Sequence, residues 1–201
     1  MTFDAIIIGG GAAGLSCALV MGSAKDKTFA KDKNIAIITH QKTSHLQNAL
    51  FNNVLGLQPG ALGSDILNSG KQQLIDLYPH ITQIEKEKVT AIEKHSQSFT
   101  ITTNRNTYKS KIVVIAIGYT HLMTIKGLEH FIEPHPRAAI EKDRIWLNNK
   151  DHLIEDHLYV AGTLAGWRSQ FAMACGSGSH VATDILTLWN NGKHTKIHDK
   201  V

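Results

Sequence analysis

The chain has 201 residues but only two cysteines, Cys17 and Cys175, and no Cys-x-x-Cys pair. That excludes a local dithiol centre and a cysteine-rich zinc site. Its 12 histidines are scattered. Loose pairs such as His40 with His45 and His152 with His157 do not make the His-Glu-x-x-His pattern that puts two ligands on one helix face, so the sequence points to no metal site. No apolar run approaches the ~20 residues of a membrane helix. No leader precedes the first apolar run, which begins at Ala5, so the expectation is a cytoplasmic protein without a membrane partner. Clustered basic residues are also missing. The net charge is +4, but the lysines alternate with acids, as in Lys25-Asp26-Lys27 and Glu85-Lys86-Glu87-Lys88. Such alternation reads as a solvated face and gives no reason to expect a nucleic-acid partner.

What is present suits one sizeable α/β domain. Residues 4–8 form a short apolar run of the kind that makes a buried parallel strand. A glycine loop follows at once, then a helix over 12–21, a polar excursion over 22–33 and a second buried strand over 34–39. Residues 40–63 read as an irregular connection. Residues 64–77 carry apolar positions at amphipathic helical spacing, with Ser64 or Asp65 near the N-cap. Three β segments follow, over 81–94, 98–103 and 108–116, with Asn104-Arg105-Asn106 as a turn; together they read as a meander attached to the parallel sheet. After Gly118 comes a loop containing Pro134 and Pro136, then short strands at 145–147 and 158–161. A long helix is expected over 169–190, and a polar, frayed tail after Gly192. The domain reading is one unit over 1–192 and a tail over 193–201.

The loop Gly9-Gly10-Gly11-Ala12-Ala13-Gly14 carries the first chemical signal. In G-x-G-x-x-G the first glycine permits the turn out of the strand, the second lets the backbone approach a pyrophosphate, and the third lets helix and sheet pack closely. Gly9, Gly11 and Gly14 fill these places. The free N–H groups and partial positive charge of the helix start then face the phosphates. The acid that usually ends the second strand, for the adenosine ribose, is missing; Thr39 stands there, followed by His40. A hydroxyl makes a weaker bond than a carboxylate does. On its own the unit does not choose between FAD and NAD.

Four segments make the choice. They are residues 4–15 around the glycine loop; Asn53-Val54-Leu55-Gly56; residues 108–118, ending Val114-Ile115-Ala116-Ile117-Gly118; and Leu158-Tyr159-Val160-Ala161-Gly162-Thr163, continued by residues 170–178. In this order the chain resembles the FAD domain of the thioredoxin reductase-like pyridine nucleotide-disulfide oxidoreductases. The resemblance implies a Rossmann-like FAD-binding domain: a central parallel sheet, an attached β-meander and a long C-terminal helix. It also implies FAD as the cofactor. By the same resemblance, Gly11, Ala12 and Ala13 meet the pyrophosphate. Gly162 and Thr163 lie at the pyrophosphate and ribitol, although the family has Asp where Thr163 stands. Gln170 and Phe171 bring the last helix to the isoalloxazine, with Asn53 near the ring. Lys88 and Val89 form the stretch that meets adenine, and Ala116 and Gly118 close the strand beside the flavin.

In the family, a nicotinamide-nucleotide domain bearing its own glycine loop and the Cys-x-x-Cys pair is inserted after the strand equivalent to 108–116. Here about two dozen residues separate Gly118 from Ile145, and there is no second glycine loop. The resemblance therefore implies an oxidoreductase whose electron donor is external, either a partner protein or free NAD(P)H. The alternative is a non-catalytic flavin-binding subunit or redox-responsive module. Homodimerisation is a further expectation by analogy. No catalytic residue stands out. Cys17 and Cys175 read as small packing residues. Trp167 and Arg168 have two readings each: groups beside the flavin ring, or surface residues. His40, His45 and His121 read as polar loop residues at the cofactor edge.

Overall fold

The computed structural model describes residues 2–40, 44–120 and 123–198. In chain order the strands and helices are β1 (Thr2–Ile8), α1 (Ala12–Ser23), β2 (Ile35–Thr39), β3 (Leu50–Phe51), β4 (Ala61–Leu62), α2 (Gly63–Leu77), β5 (Ile81–Glu85), β6 (Val89–Lys94), β7 (Phe99–Thr103), β8 (Thr107–Ile115), β9 (Ile132–Pro134), β10 (Ile145–Leu147), β11 (Leu153–Glu155), β12 (Leu158–Val160) and α3 (Phe171–Trp189). Five strands are parallel, in the order β12-β8-β1-β2-β5. Antiparallel β11 extends one edge, and β6 and β7 join through the first half of β8 as a meander. This is the Rossmann-like architecture with meander and C-terminal helix that the sequence predicts.

β1 is buried from Phe3 onward because both faces of the sheet are covered, so Ala5 to Ile8 read as a continuous apolar run rather than an alternating one. Successive side chains point to opposite faces. Ile7, Ile37 and Val114 pack under the helices with Leu15, Val181 and Ile185. Ile6, Ile8, Val113 and Ile115 pack on the other face with Phe99, Ile101, Leu147 and Leu164. Each such isoleucine contributes roughly 1.5–3 kcal/mol by leaving water. α1 and α3 lie against each other with backbone-close contact: a Cβ on Gly178 would stand 1.9 Å from the Ala13 carbonyl oxygen.

Several local expectations change. β5 joins the parallel sheet beside β2 rather than the meander. The connection over 40–63 contains the small β3–β4 ribbon, and Pro134 sits in a second ribbon, paired with Ile145. Three-residue strands are too short to show a period in sequence. Leu62 is the N-cap of α2, and no side chain caps it. Glu87, expected on a solvated face, is 6% exposed. Its carboxylate accepts hydrogen bonds from Thr103 Oγ1 (2.6 Å), Asn106 Nδ2 (2.6 Å) and Tyr108 OH (2.9 Å). The described part of the tail is folded back: Thr195 is buried, and Ile197 packs on Ala24, Ala30 and Leu186. The chain leaves the sheet after β8, and a closed neck ties that exit to the start of β10 in the second ribbon: Ile145 N–H donates to the Tyr119 carbonyl at 3.1 Å and Thr120 bridges Arg144. Among the described residues no helix is long and apolar enough to cross a membrane.

Candidate functional site

β1 delivers the glycine loop to the C-terminal edge of the parallel sheet, where open α/β sheets bind ligands. Gly9 has φ +119°, and a Cβ there would lie 2.3 Å from the Ala116 carbonyl oxygen. A Cβ on Gly14 would lie 1.8 Å from the Gly9 carbonyl oxygen. Both positions are fixed by packing. Gly11 differs: its nearest neighbour would be Ser44 Oγ at 3.9 Å. The space above Gly11 belongs to a cavity of about 220 Å³.

That cavity gathers residues from five parts of the chain: Gly11, Ala12 and Ala13; His45 and Phe51; Ala116 and Gly118; Gly162 and Thr163; and Gln170 and Phe171. Two helices begin here. The first turn of α1 carries no acid and its N-cap Gly11 makes no side-chain cap; the same is true of α3 and its N-cap Gln170. Two uncapped helix starts on one cavity place partial positive charge and unused N–H groups where an anionic ligand is stabilised. The Gly162 turn is held from below, where Gly162 N–H donates to buried Ser177 Oγ at 2.7 Å, and His135 Nε2 contacts the Thr163 carbonyl at 3.0 Å. Ser177 and His135 escape sequence reasoning because their partners are backbone atoms supplied by tertiary folding.

A second cavity, of about 360 Å³, lies across Ile117 and Gly118, which line both. Gly9, His40, Glu87, Lys88, Val89 and Met123 contribute to it. The Glu87 carboxyl sits below its ordinary range. Burial pushes it upward, but the hydrogen bonds from Thr103, Asn106 and Tyr108 outweigh that effect. Three hydrogen bonds thus turn this carboxylate into the meander.

Three expected positions stand apart from these cavities. Gly14 serves the packing described above. Thr39 is buried with its Cγ2 beneath Gly10, leaving His40 as the residue at the cavity. Asn53 is exposed in the β3–β4 connection and lines neither cavity. His121 lies outside the described residues. Trp167 does not line the first cavity; it packs on His152, ring centroids 5.0 Å apart. Arg168 is exposed and lines a third hollow of about 260 Å³ with Tyr119, His135, Arg137 and Lys142. Arg144 lies over the Tyr119 ring at 4.9 Å.

The thiols are chemically quiet. Burial pushes the Cys17 thiol up to about 12, and burial also raises that of half-buried Cys175. A thiol held in its protonated form is a poor nucleophile.

Known proteins bear on this geometry. The sequence profile of the family described as "Pyridine nucleotide-disulphide oxidoreductase" matches residues 3–165. A ferredoxin–NADP reductase of Levilactobacillus brevis is 29% identical over 191 residues, covering 93% of this chain and 50% of the relative. A thioredoxin reductase of Treponema pallidum is 31% identical over 135 residues, covering 65% of this chain and 40% of the relative. The chain thus spans half or less of the length of these curated relatives. Among solved structures, an oxidoreductase of Agrobacterium tumefaciens aligns with a TM-score of 0.74 at 15% identity, covering 92% of this chain and 97% of that one. A thioredoxin reductase of Gloeobacter violaceus aligns with a TM-score of 0.72 at 12% identity, covering 100% and 98%. At such low identity the structures speak for the fold alone. With a profile match over most of its length and the glycine-floored cleft in place, the chain belongs to the pyridine nucleotide-disulphide oxidoreductase family.

Proposed function

We propose that this chain binds FAD across the two cavities that meet at Gly118, and that it acts as a thioredoxin reductase-like oxidoreductase drawing electrons from an external donor. The observation that carries the reading is the convergence of two uncapped helix starts on a cavity floored by Gly11. A pyrophosphate fits that donor set: it needs close backbone approach, N–H groups and positive potential, and no cation need be buried to supply them. Bound FAD would supply the electron-transfer chemistry.

The chain's residues bind and orient. Ala12 and Ala13 N–H groups face the pyrophosphate. Gly162 and Thr163 lie between the two helix starts, on the ribitol side. The start of α3 at Gln170 and Phe171 favours negative charge on the ring system. Lys88, Val89 and His40 border the adenosine end.

An external donor is supported by the short path from Tyr119 to Ile145, which holds one small ribbon. It is also supported by the hollow lined by Arg137, Lys142 and Arg168, which adjoins the first cavity at Ser169 and Gln170. Cationic side chains there suit an anionic donor, whether a nicotinamide dinucleotide or an acidic protein. Leu50, Leu55 and Leu62 before α2 and Ile75 and Leu77 at its end are exposed and provide apolar surface for pairing of two copies, which sedimentation would test.

The deciding experiment is the visible spectrum of the purified protein before and after anaerobic NADPH. Flavin bands that bleach support the proposal; a protein with no flavin and no FAD affinity overturns it. The quiet thiols favour a second reading, a flavin-binding module without turnover. Steady-state turnover with NADPH or NADH and a panel of acceptors excludes that reading, and its absence sustains it.

A further inference from the structure

We propose that Asp151, His152 and His180 bind one divalent transition-metal ion of the zinc type, at a site separate from the flavin cleft. Their three ligand atoms lie within 4.8 Å of one another. Ligands placed about 2.0–2.1 Å from a tetrahedral ion stand about 3.4 Å apart, so only a small closure is needed. His180 Nε2 is 3.7 Å from Asp151 Oδ1 and 3.3 Å from Asp184 Oδ2. Two imidazoles and a carboxylate are a donor set that zinc takes, with a fourth position left for water or for Asp184.

His152 separates this group from an ordinary surface cluster. The residue is 1% exposed. Its N–H donates to Asn149 Oδ1 at 2.9 Å, and its carbonyl accepts from Val160 N–H at 2.9 Å. Nδ1 is 3.0 Å from the Val160 carbonyl. A carbonyl only accepts, so Nδ1 carries the proton and Nε2 presents its lone pair. Among the described residues buried Nε2 has no hydrogen-bond partner. A histidine that donates one ring nitrogen to a backbone carbonyl and offers the other is the arrangement of a metal ligand. His180 Nε2 is likewise buried without hydrogen-bond geometry to a partner. The Trp167 ring lies against His152, while the Asp151 side chain is 77% exposed and leaves an entry path. His180 lies nine residues along α3 from Phe171, about 13 Å from the helix start at the flavin cleft. The ion would tie the turn before β11 to the middle of α3.

The test titrates Zn²⁺ alone into the full chain after EDTA treatment and dialysis, read by calorimetry and by thermal unfolding. The expected result is one equivalent bound per chain with a rise in Tm, and at least about tenfold weaker binding in His180→Ala and in Asp151→Asn. Both substitutions lie on partly or largely exposed side chains, so they spare the fold, which buried His152 would not. His157→Ala keeps full affinity. The proposal is overturned if the wild type binds no stoichiometric Zn²⁺, or if both ligand variants bind as tightly as the wild type.

Discussion

The two sides of the central sheet are built in different currencies. On the helix side, β1, α1 and α3 approach through backbone: Gly9, Gly14 and Gly178 each have a carbonyl oxygen where a side chain would begin. On the meander side, the contacts are between side chains, centred on Glu87 with Thr103, Asn106 and Tyr108. Backbone cannot retreat as a rotamer can, so these three positions accept no added atom. The meander side can lose a group and settle. Gly11, at the start of α1, is different. Among the described residues it meets only Ser44 Oγ, and their packing does not explain why it is glycine.

The largest effect expected is from Gly178→Ala. Its Cβ would strike the Ala13 carbonyl, and overpacking against immobile backbone costs more than ~3 kcal/mol, a large share of a domain's stability. Urea unfolding will show a collapsed midpoint or no soluble protein; a near-wild-type midpoint would erase the contrast. Gly11→Ala should do the opposite. Stability of the flavin-free protein changes by less than ~1 kcal/mol, while FAD affinity falls at least about tenfold, or ~1.4 kcal/mol. Fluorescence titration with FAD measures this directly, and unchanged affinity would mean that Gly11 is not where the pyrophosphate lies. Tyr108→Phe removes one hydrogen bond from the Glu87 carboxylate and should cost about 1.5 kcal/mol, with the urea midpoint lowered and the slope unchanged.

The mildest test is pH. Asp4, like Glu87, is held below its ordinary value: burial raises it, but the Asn34 N–H and Lys111 outweigh that. A carboxyl with a depressed folded value binds its proton first in the unfolded chain. Its contribution is therefore present above the ordinary values of 4.5 for Glu87 and 3.8 for Asp4, and is lost as pH falls through the folded values. Burial lowers the His152 value, the Val160 hydrogen bond opposing it; here the unfolded ring takes the proton first, and stability declines as pH drops through 6.5. Tm against pH should thus fall gently below about 6.5 and steeply below about 4.5. Glu87→Gln should flatten the steep part, and an unaltered acid limb in that variant would remove Glu87 from its central place.

The strand–loop–helix start was legible because its requirements are local: an apolar run, then glycines at fixed spacing, then alanine-rich helix. The gathering of Gly162, Thr163, Gln170 and Phe171 onto the same cavity as Gly11 was legible through family likeness, not from spacing. Trp167 illustrates the limit. Its position before α3 left two readings open, a group beside the flavin ring or a surface residue, and its packing partner, His152, is supplied by a turn that no local pattern links to it. His152 was visible only as half of a loose pair with His157. Its structural neighbour His180 is 28 residues away, and only the docking of α3 against the turn before β11 brings them together. Glu87 misled because alternating charge describes a surface on average and says nothing about one carboxylate facing three donors.

The closed neck at Tyr119 and Ile145 has an engineering consequence. Because Thr120 and Arg144 are held side by side there, a segment spliced next to the neck has its two ends already brought together. Loop closure grows by only ~0.6 kcal/mol per doubling of length. A reporter, a binding module or a whole redox domain spliced beside Thr120 or Arg144, clear of buried Ile125, Leu128 and His135, would have its ends delivered side by side at the rim of the cleft.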